Sequence, residues 1–232
     1  MNQLRLFGVE RLGREGWEAA AAAAGVPGGP FHVGETYPDE WMFALVMQAS
    51  RASGLPVAVV LEEFGAFVAP ALLRVYEPLV DPAWRTLDVL EHTERAIHTA
   101  VRARMPGAAP PALASRRVAD DQVEIDYRSA RRLCWVAKGI ARGLAAGFGE
   151  RIEIEEPECM HRGGERCLLR FRWLGRVEPG EGGAVGEAAI AGGVGSVRDG
   201  ADGVELGDSD EVADVDAGAA SGDPSDFWSG GA

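Results

Sequence analysis

The 232-residue chain carries a formal net charge of −13, unevenly placed: from Leu174 onward there are 13 acidic residues against two arginines, whereas residues 1–173 hold 23 acidic and 21 basic groups. The body is close to neutral and has no basic stripe, so nothing in it suits a nucleic acid, and no apolar run approaches the roughly 18 residues of a membrane span. Three cysteines, an odd number, argue against a secreted disulfide scaffold. The start lacks the charged and apolar parts of a leader, so the expected compartment is the cytoplasm.

The first hundred residues read as helices. RLGREGWEAAAAAAG is Ala-rich and stops at Gly25, with VPGGP as the breaker. A second helix follows Pro38 through YPDEWMFALVMQASRAS and ends near Gly54. PVAVVLEEFGAFVAPALLRVYEPLV is expected to give one helix or two, broken around Gly65 or Pro70. Asp81 as N-cap, with Pro82 at the first helical position, predicts a long helix through about Arg104. MPGAAPP ends it.

The pattern then changes period. ALASRRV, the turn ADDQ and VEIDYRS form a predicted hairpin, with Val123, Ile125 and Tyr127 alternating against Glu124 and Asp126. A helix from about Arg132 to Phe148 stops at Gly149. RIEIEEPECM, the turn HRGGER and CLLRFRW make a second hairpin. Helices followed by two hairpins around a helix define an α+β domain over residues 1–173, its antiparallel sheet packed with helices. The Gly-, Ala- and Asp-rich remainder, 174–232, is expected to be a disordered acidic tail, with Asp226–Trp228 as an exposed aromatic end.

Four groups of residues can carry chemistry. On the long helix, Leu87, Leu90, Ile97 and Val101 gather into one apolar arc with His98 at its edge. Such a histidine is either a satisfied, partly buried side chain or a ligand for iron or zinc. Glu94 intrudes on the same arc without an evident role, and His92 points elsewhere. Pro110 and Pro111 stiffen the connection to the sheet, and such rigid residues can also press on a flat cofactor. In YRSAR, Tyr127, Ser129 and Arg131 occupy every second position, so in an extended chain they share a face. A guanidinium fork with two hydroxyls suits carboxylates better than phosphates, because no Gly-rich loop accompanies it. Last, Cys134, Cys159 and Cys167, with His161 and Glu156 near Cys159, are either buried thiols or a zinc site.

In order and spacing these groups resemble the heme-nitric oxide/oxygen binding (H-NOX) family, the sensor domain also found in soluble guanylate cyclase. The resemblance spans about residues 1–173, including GREGWE and YPDE in the helical half. It implies a heme b whose axial ligand is His98, whose propionates are held by Tyr127, Ser129 and Arg131, and whose porphyrin is pressed by Pro111. Relatives that hold O₂ carry a tyrosine where this chain has Val136; with Leu4 as a second distal residue, the pocket is expected to be apolar, to bind NO and to exclude O₂. Loss of the Fe–His98 bond on NO binding would then free the long helix. Zinc-bearing relatives match Cys134, Cys159 and Cys167, but their histidine position is Glu156 here, leaving Glu156 or His161 as the fourth ligand. Met1 falls about five residues inside the family's usual first helix.

The resemblance implies a sensor, not an enzyme. With no output domain in so short and polar a tail, the expected partner is a separate histidine kinase or cyclic-dinucleotide enzyme. A heme-free small-molecule or scaffold domain of the vinyl-reductase or vesicle-tethering type is the alternative, since it shares the C…GGER-C hairpin. A hydrolytic zinc site at the cysteines is the enzymatic one.

Overall fold

The computed structural model describes residues 1–32, 35–105 and 107–178. Pro106 of the PG pair and the tail from residue 179, including Asp226–Trp228, lie outside the described residues.

Alternation in VEIDY does what strand periodicity requires. On β2 (Gln122–Arg128), Val123, Ile125 and Tyr127 are 0, 4 and 3% exposed. On its other face, Glu124 pairs with Arg170 (2.7 Å) and Asp126 with Arg166 (2.5 Å). Those arginines belong to β4 (Cys167–Arg176) or its approach, which pairs with β2 in the register Ile125↔Leu169 and Tyr127↔Cys167. With β1 (Ala112–Ala119) and β3 (Glu150–Glu158), the order is β1-β2-β4-β3, every neighbour antiparallel. The last strand continues past residue 173 to Arg176.

The helical half holds α1 (Asn2–Ala23), α2 (Asp39–Ser53) and α3 (Val57–Val75). α1 bends at Gly13, whose φ of 72° is open to glycine. Its second half folds Trp17 over Gly8, where a Cβ would collide with the indole, and Trp17 Nε1 donates to Gly28 O at 2.8 Å. Leu4, Phe7, Trp17, Leu45, Val46, Val60 and Leu61 form one apolar core here; a second, around Leu87, Leu90, Val123, Leu144, Leu169 and Phe171, lies on the sheet. Among the described residues no single helix is long and apolar enough to cross a membrane.

Three expectations are corrected. α3 does not break at Gly65 or Pro70 but runs through both. The reason is α6 (Cys134–Phe148), which crosses α3 backbone to backbone. A Cβ at Gly65 would strike Val136 O, one at Gly139 would strike Glu62 O, and one at Gly143 would lie 2.6 Å from Ala66 O. Ala66 O is the carbonyl that Pro70 leaves without its helical donor, and Gly143 lies against it.

Asp81 does not cap the helix that leads to His98. Its Oδ1 accepts from Ala83 N (2.8 Å) and its carbonyl from Trp84 N (2.9 Å), closing a local turn. The helix α4 begins instead at Thr86 and ends at Thr93. Asp88 accepts from Arg85 N at 3.0 Å, and the buried Glu150 of β3 accepts from Thr86 N at 3.2 Å. Finally, the long helix is not regular. A π-turn, Glu94–His98, separates α4 from α5 (Thr99–Arg104).

The glycine crossing is testable by thermal or urea unfolding of the full chain. Gly139→Ala is expected to cost about 1–3 kcal/mol through overpacking. Gly147→Ala, on the same helix with nothing within 4 Å of the new methyl, is expected to stabilise by roughly 0.5–1 kcal/mol.

Candidate cofactor site

Between the two cores lies a cavity of about 820 Å³, inside the roughly 300–1,000 Å³ usual for cofactor pockets. Its walls come from both halves. Leu4 and Phe64 come from α1 and α3, Val136, Ala137, Ile140 and Leu144 from α6, and Ile125, Leu169 and Phe171 from the sheet. His98, Pro110, Pro111, Tyr127, Ser129 and Arg131 line the same space. Sequence reasoning from separate segments thus converges on one cavity.

The helix that carries His98 reaches it through Leu90, Thr93, His98 and Val101. The step of five from Thr93 to His98 is the π-turn expressed in side-chain positions. The helix is laid along β1 by Arg117, which bonds Asp88 (2.6 Å) and Glu91 (2.8 Å), and by Leu113 N, which donates to Glu94 Oε2 at 3.2 Å. His98 is 14% exposed at its side chain, and its Nδ1 lies 3.1 Å from Glu94 Oε2. A carboxylate partner makes Nδ1 the protonated nitrogen and leaves the Nε2 lone pair for another ligand. Burial works against the Glu94 charge. Bonds from Arg102, His98 and the Leu113 N–H outweigh it and hold the carboxyl below its ordinary value. His92 is half-buried, its Nδ1 on Asp88 O (2.8 Å) and its ring 4.5 Å from Trp84.

At the opposite end the expected strand geometry is modified. β2 ends at Arg128, so Ser129 and Arg131 sit in a turn rather than on the strand: Arg132 N bonds Ser129 O (3.1 Å) and Arg131 N bonds Ser129 Oγ (3.2 Å). Tyr127 is buried on the strand, which raises its pKa well above the ordinary phenol value, although hydrogen bonds with Ser129 and the Leu133 backbone oppose the shift. Arg131 Nε donates to Asp39 Oδ2 at 2.6 Å and Nη1 to Ala109 O at 3.2 Å. That leaves further guanidinium donors for an anion. Neither Glu94's role nor Asp39's was read from the sequence. The spacing of four between Glu94 and His98 was a visible signal; the 92 positions separating Asp39 from Arg131 offered none.

The cysteines converge as well. Cys134 and Cys167 are fully buried and Cys159 is 2% exposed, all three unbridged. The sulfurs of Cys134 and Cys159 are 3.9 Å apart, and those of Cys159 and Cys167 are 3.7 Å apart. Together with a Glu156 carboxylate oxygen the three sulfurs lie within 4.8 Å of one another. Glu156 Oε2 receives Lys138 Nζ at 3.3 Å, whereas its buried Oε1 has no hydrogen-bond partner. His161 is placed differently. Its ring stacks on Trp135 at 3.9 Å, and its Nε2 bonds Arg132 O at 2.7 Å. The neighbouring Cys167 sulfur, with burial, pushes Cys134 far above the ordinary thiol value, while the Cys134 sulfur lowers Cys167 to about 7. Burial and the Glu156 carboxylate push Cys159 up to about 11.

The fold and cavity define a domain built to enclose a flat cofactor between a helical half and a sheet. A family model described as Haem-NO-binding matches residues 1–156, and the chain therefore belongs to that family of heme-binding gas sensors. Solved structures agree in fold. An H-NOX protein from S. oneidensis in the Fe(II)NO ligation state is 23% identical and superposes with a TM-score of 0.67, covering 75% of this chain and 99% of its own. A T. tengcongensis H-NOX variant is 20% identical (TM-score 0.66; 76% and 96% covered). An Fe(II) unliganded variant from K. algicida is 17% identical (TM-score 0.66; 74% and 92%). No curated protein matches the chain.

The residues present fit a heme: an imidazole with one nitrogen already fixed, an apolar slot, and a guanidinium with hydroxyls at one end. Because Glu94's folded pKa is depressed, the stability it contributes is present above its unfolded value and is lost as pH falls through the folded one. Glu94→Gln is therefore expected to flatten the acid limb of the unfolding midpoint, at and below the ordinary glutamate range, as read by circular dichroism melts.

Proposed function

We propose that this protein is a nitric oxide sensor whose ferrous heme b is ligated by His98 and which excludes O₂. The observation that carries the reading is His98 itself, lining an apolar cavity with its Nδ1 bonded to Glu94. Pro111 would contact the heme, and Tyr127, Ser129 and Arg131 would hold its propionates, Arg131 through charge-assisted bonds. When bound, ferrous heme would supply a gas-binding iron, at which NO needs no hydrogen-bond donor and O₂ does.

Leu4 and Val136 supply no such donor, and two of the cavity-lining hydroxyls are engaged: Thr93 Oγ1 on Val89 O (2.6 Å), Tyr37 on Glu35 (2.7 Å). His98 would carry the signal: as the residue that would join its helix to the cofactor, it would couple occupancy of the cavity to the position of that helix. The recipient is a separate protein, a histidine kinase or a cyclic-dinucleotide enzyme, and the role is sensing rather than catalysis. Three reduced thiols suit the cytoplasm.

The test is an anaerobic absorption spectrum of the reduced protein before and after NO, then after O₂. The expected result is a Soret band that shifts with NO, ignores O₂, and is lost or altered in His98→Ala. Arg131→Ala is expected to weaken heme retention by about 1.5–3 kcal/mol, measured by transfer to an apo-acceptor. A protein that stays colourless after hemin is added would sink this reading.

We also propose that Cys134, Cys159, Cys167 and Glu156 bind zinc. A tetrahedral site with Zn–S bonds of about 2.3 Å has sulfur–sulfur edges of about 3.8 Å, and the observed separations are 3.9 and 3.7 Å. The Glu156 side chain is 9% exposed and its unpartnered Oε1 is available as fourth ligand. Elemental analysis is expected to find one zinc per chain. Glu156→Gln should weaken its retention against a chelator about tenfold or more, while His161→Ala leaves the stoichiometry unchanged. Protein that remains metal-free in added zinc would refute the site.

A further inference from the structure

We infer that Glu94 is the positioning residue for His98: an anionic partner that fixes the imidazole tautomer, aims Nε2 into the cavity and strengthens the histidine as a metal ligand. This rests on the reading of His98 as the axial ligand and adds to it a determinant of how firmly that ligand holds.

The sequence places Glu94 four residues before His98, a spacing that makes neighbours on a helix. The π-turn ties the pair more closely still. Thr99 N bonds Glu94 O, and Thr99 Oγ1 donates to the same carbonyl at 3.0 Å, so the backbone of Glu94 is held at the turn where His98 emerges. The carboxylate is held from three sides. Oε2 receives His98 Nδ1 at 3.1 Å and Leu113 N at 3.2 Å, and Oε1 receives Arg102 Nη2. Leu113 is the second residue of β1, two residues after Pro111, and Pro111 and Leu113 both line the cavity. One carboxylate thereby connects the ligand helix, the first strand and a cation.

The chemistry follows from the acceptor. A neutral imidazole has one N–H, and a carboxylate beside Nδ1 draws it there, leaving the lone pair on Nε2. Negative charge at the far nitrogen makes the ring a better electron donor, and such outer partners typically matter by 10–100-fold in metal affinity. A stronger donor favours ferric over ferrous iron and resists detachment when NO competes for the opposite side. Arg102 opposes this by drawing charge from Oε1, so the strength of the histidine is set by the balance between Glu94 and Arg102.

The experiment uses the heme-loaded full chain with Glu94→Gln and Arg102→Met, read by the iron–histidine stretching band in resonance Raman and by the reduction potential. Glu94→Gln keeps an acceptor and removes the charge. It is expected to lower the stretching frequency, raise the ferrous-to-ferric ratio at a fixed potential about tenfold, which is about 59 mV, and raise the fraction of the NO complex lacking histidine. Arg102→Met is expected to move the stretch and the potential in the opposite directions. A purely structural carboxylate would move neither.

A ¹⁵N spectrum of heme-free protein supplies an independent readout. Wild type should show the Nδ1–H tautomer at His98, and Glu94→Ala should lose that preference. Unchanged stretch and potential in Glu94→Gln, in protein whose band disappears in His98→Ala, would overturn this inference and leave the ligand reading intact. A band that survives His98→Ala would overturn the ligand reading itself.

Discussion

The crossing of α3 over α6 is the constraint on which the rest of the molecule depends. Gly65, Gly139 and Gly143 let two backbones touch where any side chain would meet a carbonyl. With α6 pinned there, Val136, Ala137, Ile140 and Leu144 face the cavity, and Cys134 starts the helix within reach of Cys159. The sheet core packs on the same helix through Ala141 and Leu144. Cavity width, cysteine spacing and sheet position are thus set by one contact between helices.

The second constraint is electrostatic and lies on the other side of the cavity. The helix that carries His98 is held against β1 at successive turns, by Asp88 and Glu91 to Arg117 and by Glu94 to Leu113 N. The π-turn that starts at the last of those anchors adds a residue to one turn, bringing His98 rather than Ile97 into line with Thr93. A helix anchored up to Glu94 and irregular just beyond it has a defined place for a small rotation to begin.

What the sequence disclosed and what it hid have separate physical causes. Both hairpins were legible because strand burial repeats every two residues and Val123, Ile125 and Tyr127 keep that period. The convergence of His98 with Tyr127, Ser129 and Arg131 followed from family spacing, which encodes three-dimensional proximity that periodicity does not. Pro70 misled because the cost of proline in a helix is offset by the partner helix, a tertiary effect absent from any local window. Asp81 misled because its side chain closes a turn just as readily as it caps a helix, and the N–H of Thr86 is met instead by Glu150, 64 residues away. The π-turn leaves no compositional mark. Sequence alone could not separate Glu156 from His161: Glu156, on β3, lies beside the sulfurs, whereas His161, in the β3–β4 turn, stacks on Trp135 and bonds the Arg132 carbonyl.

The pair formed by Asp39 and Arg131 has a consequence for anion binding. It spans the cavity wall from the first turn of α2 to the turn after β2, and its side chains are 45% and 38% exposed. An anion arriving at Arg131 meets a guanidinium already aligned by Asp39 through Nε and by the Ala109 carbonyl through Nη1, so its remaining donors are oriented before contact instead of being organised from solution. Because the pair is water-exposed, that alignment weakens as ionic strength rises.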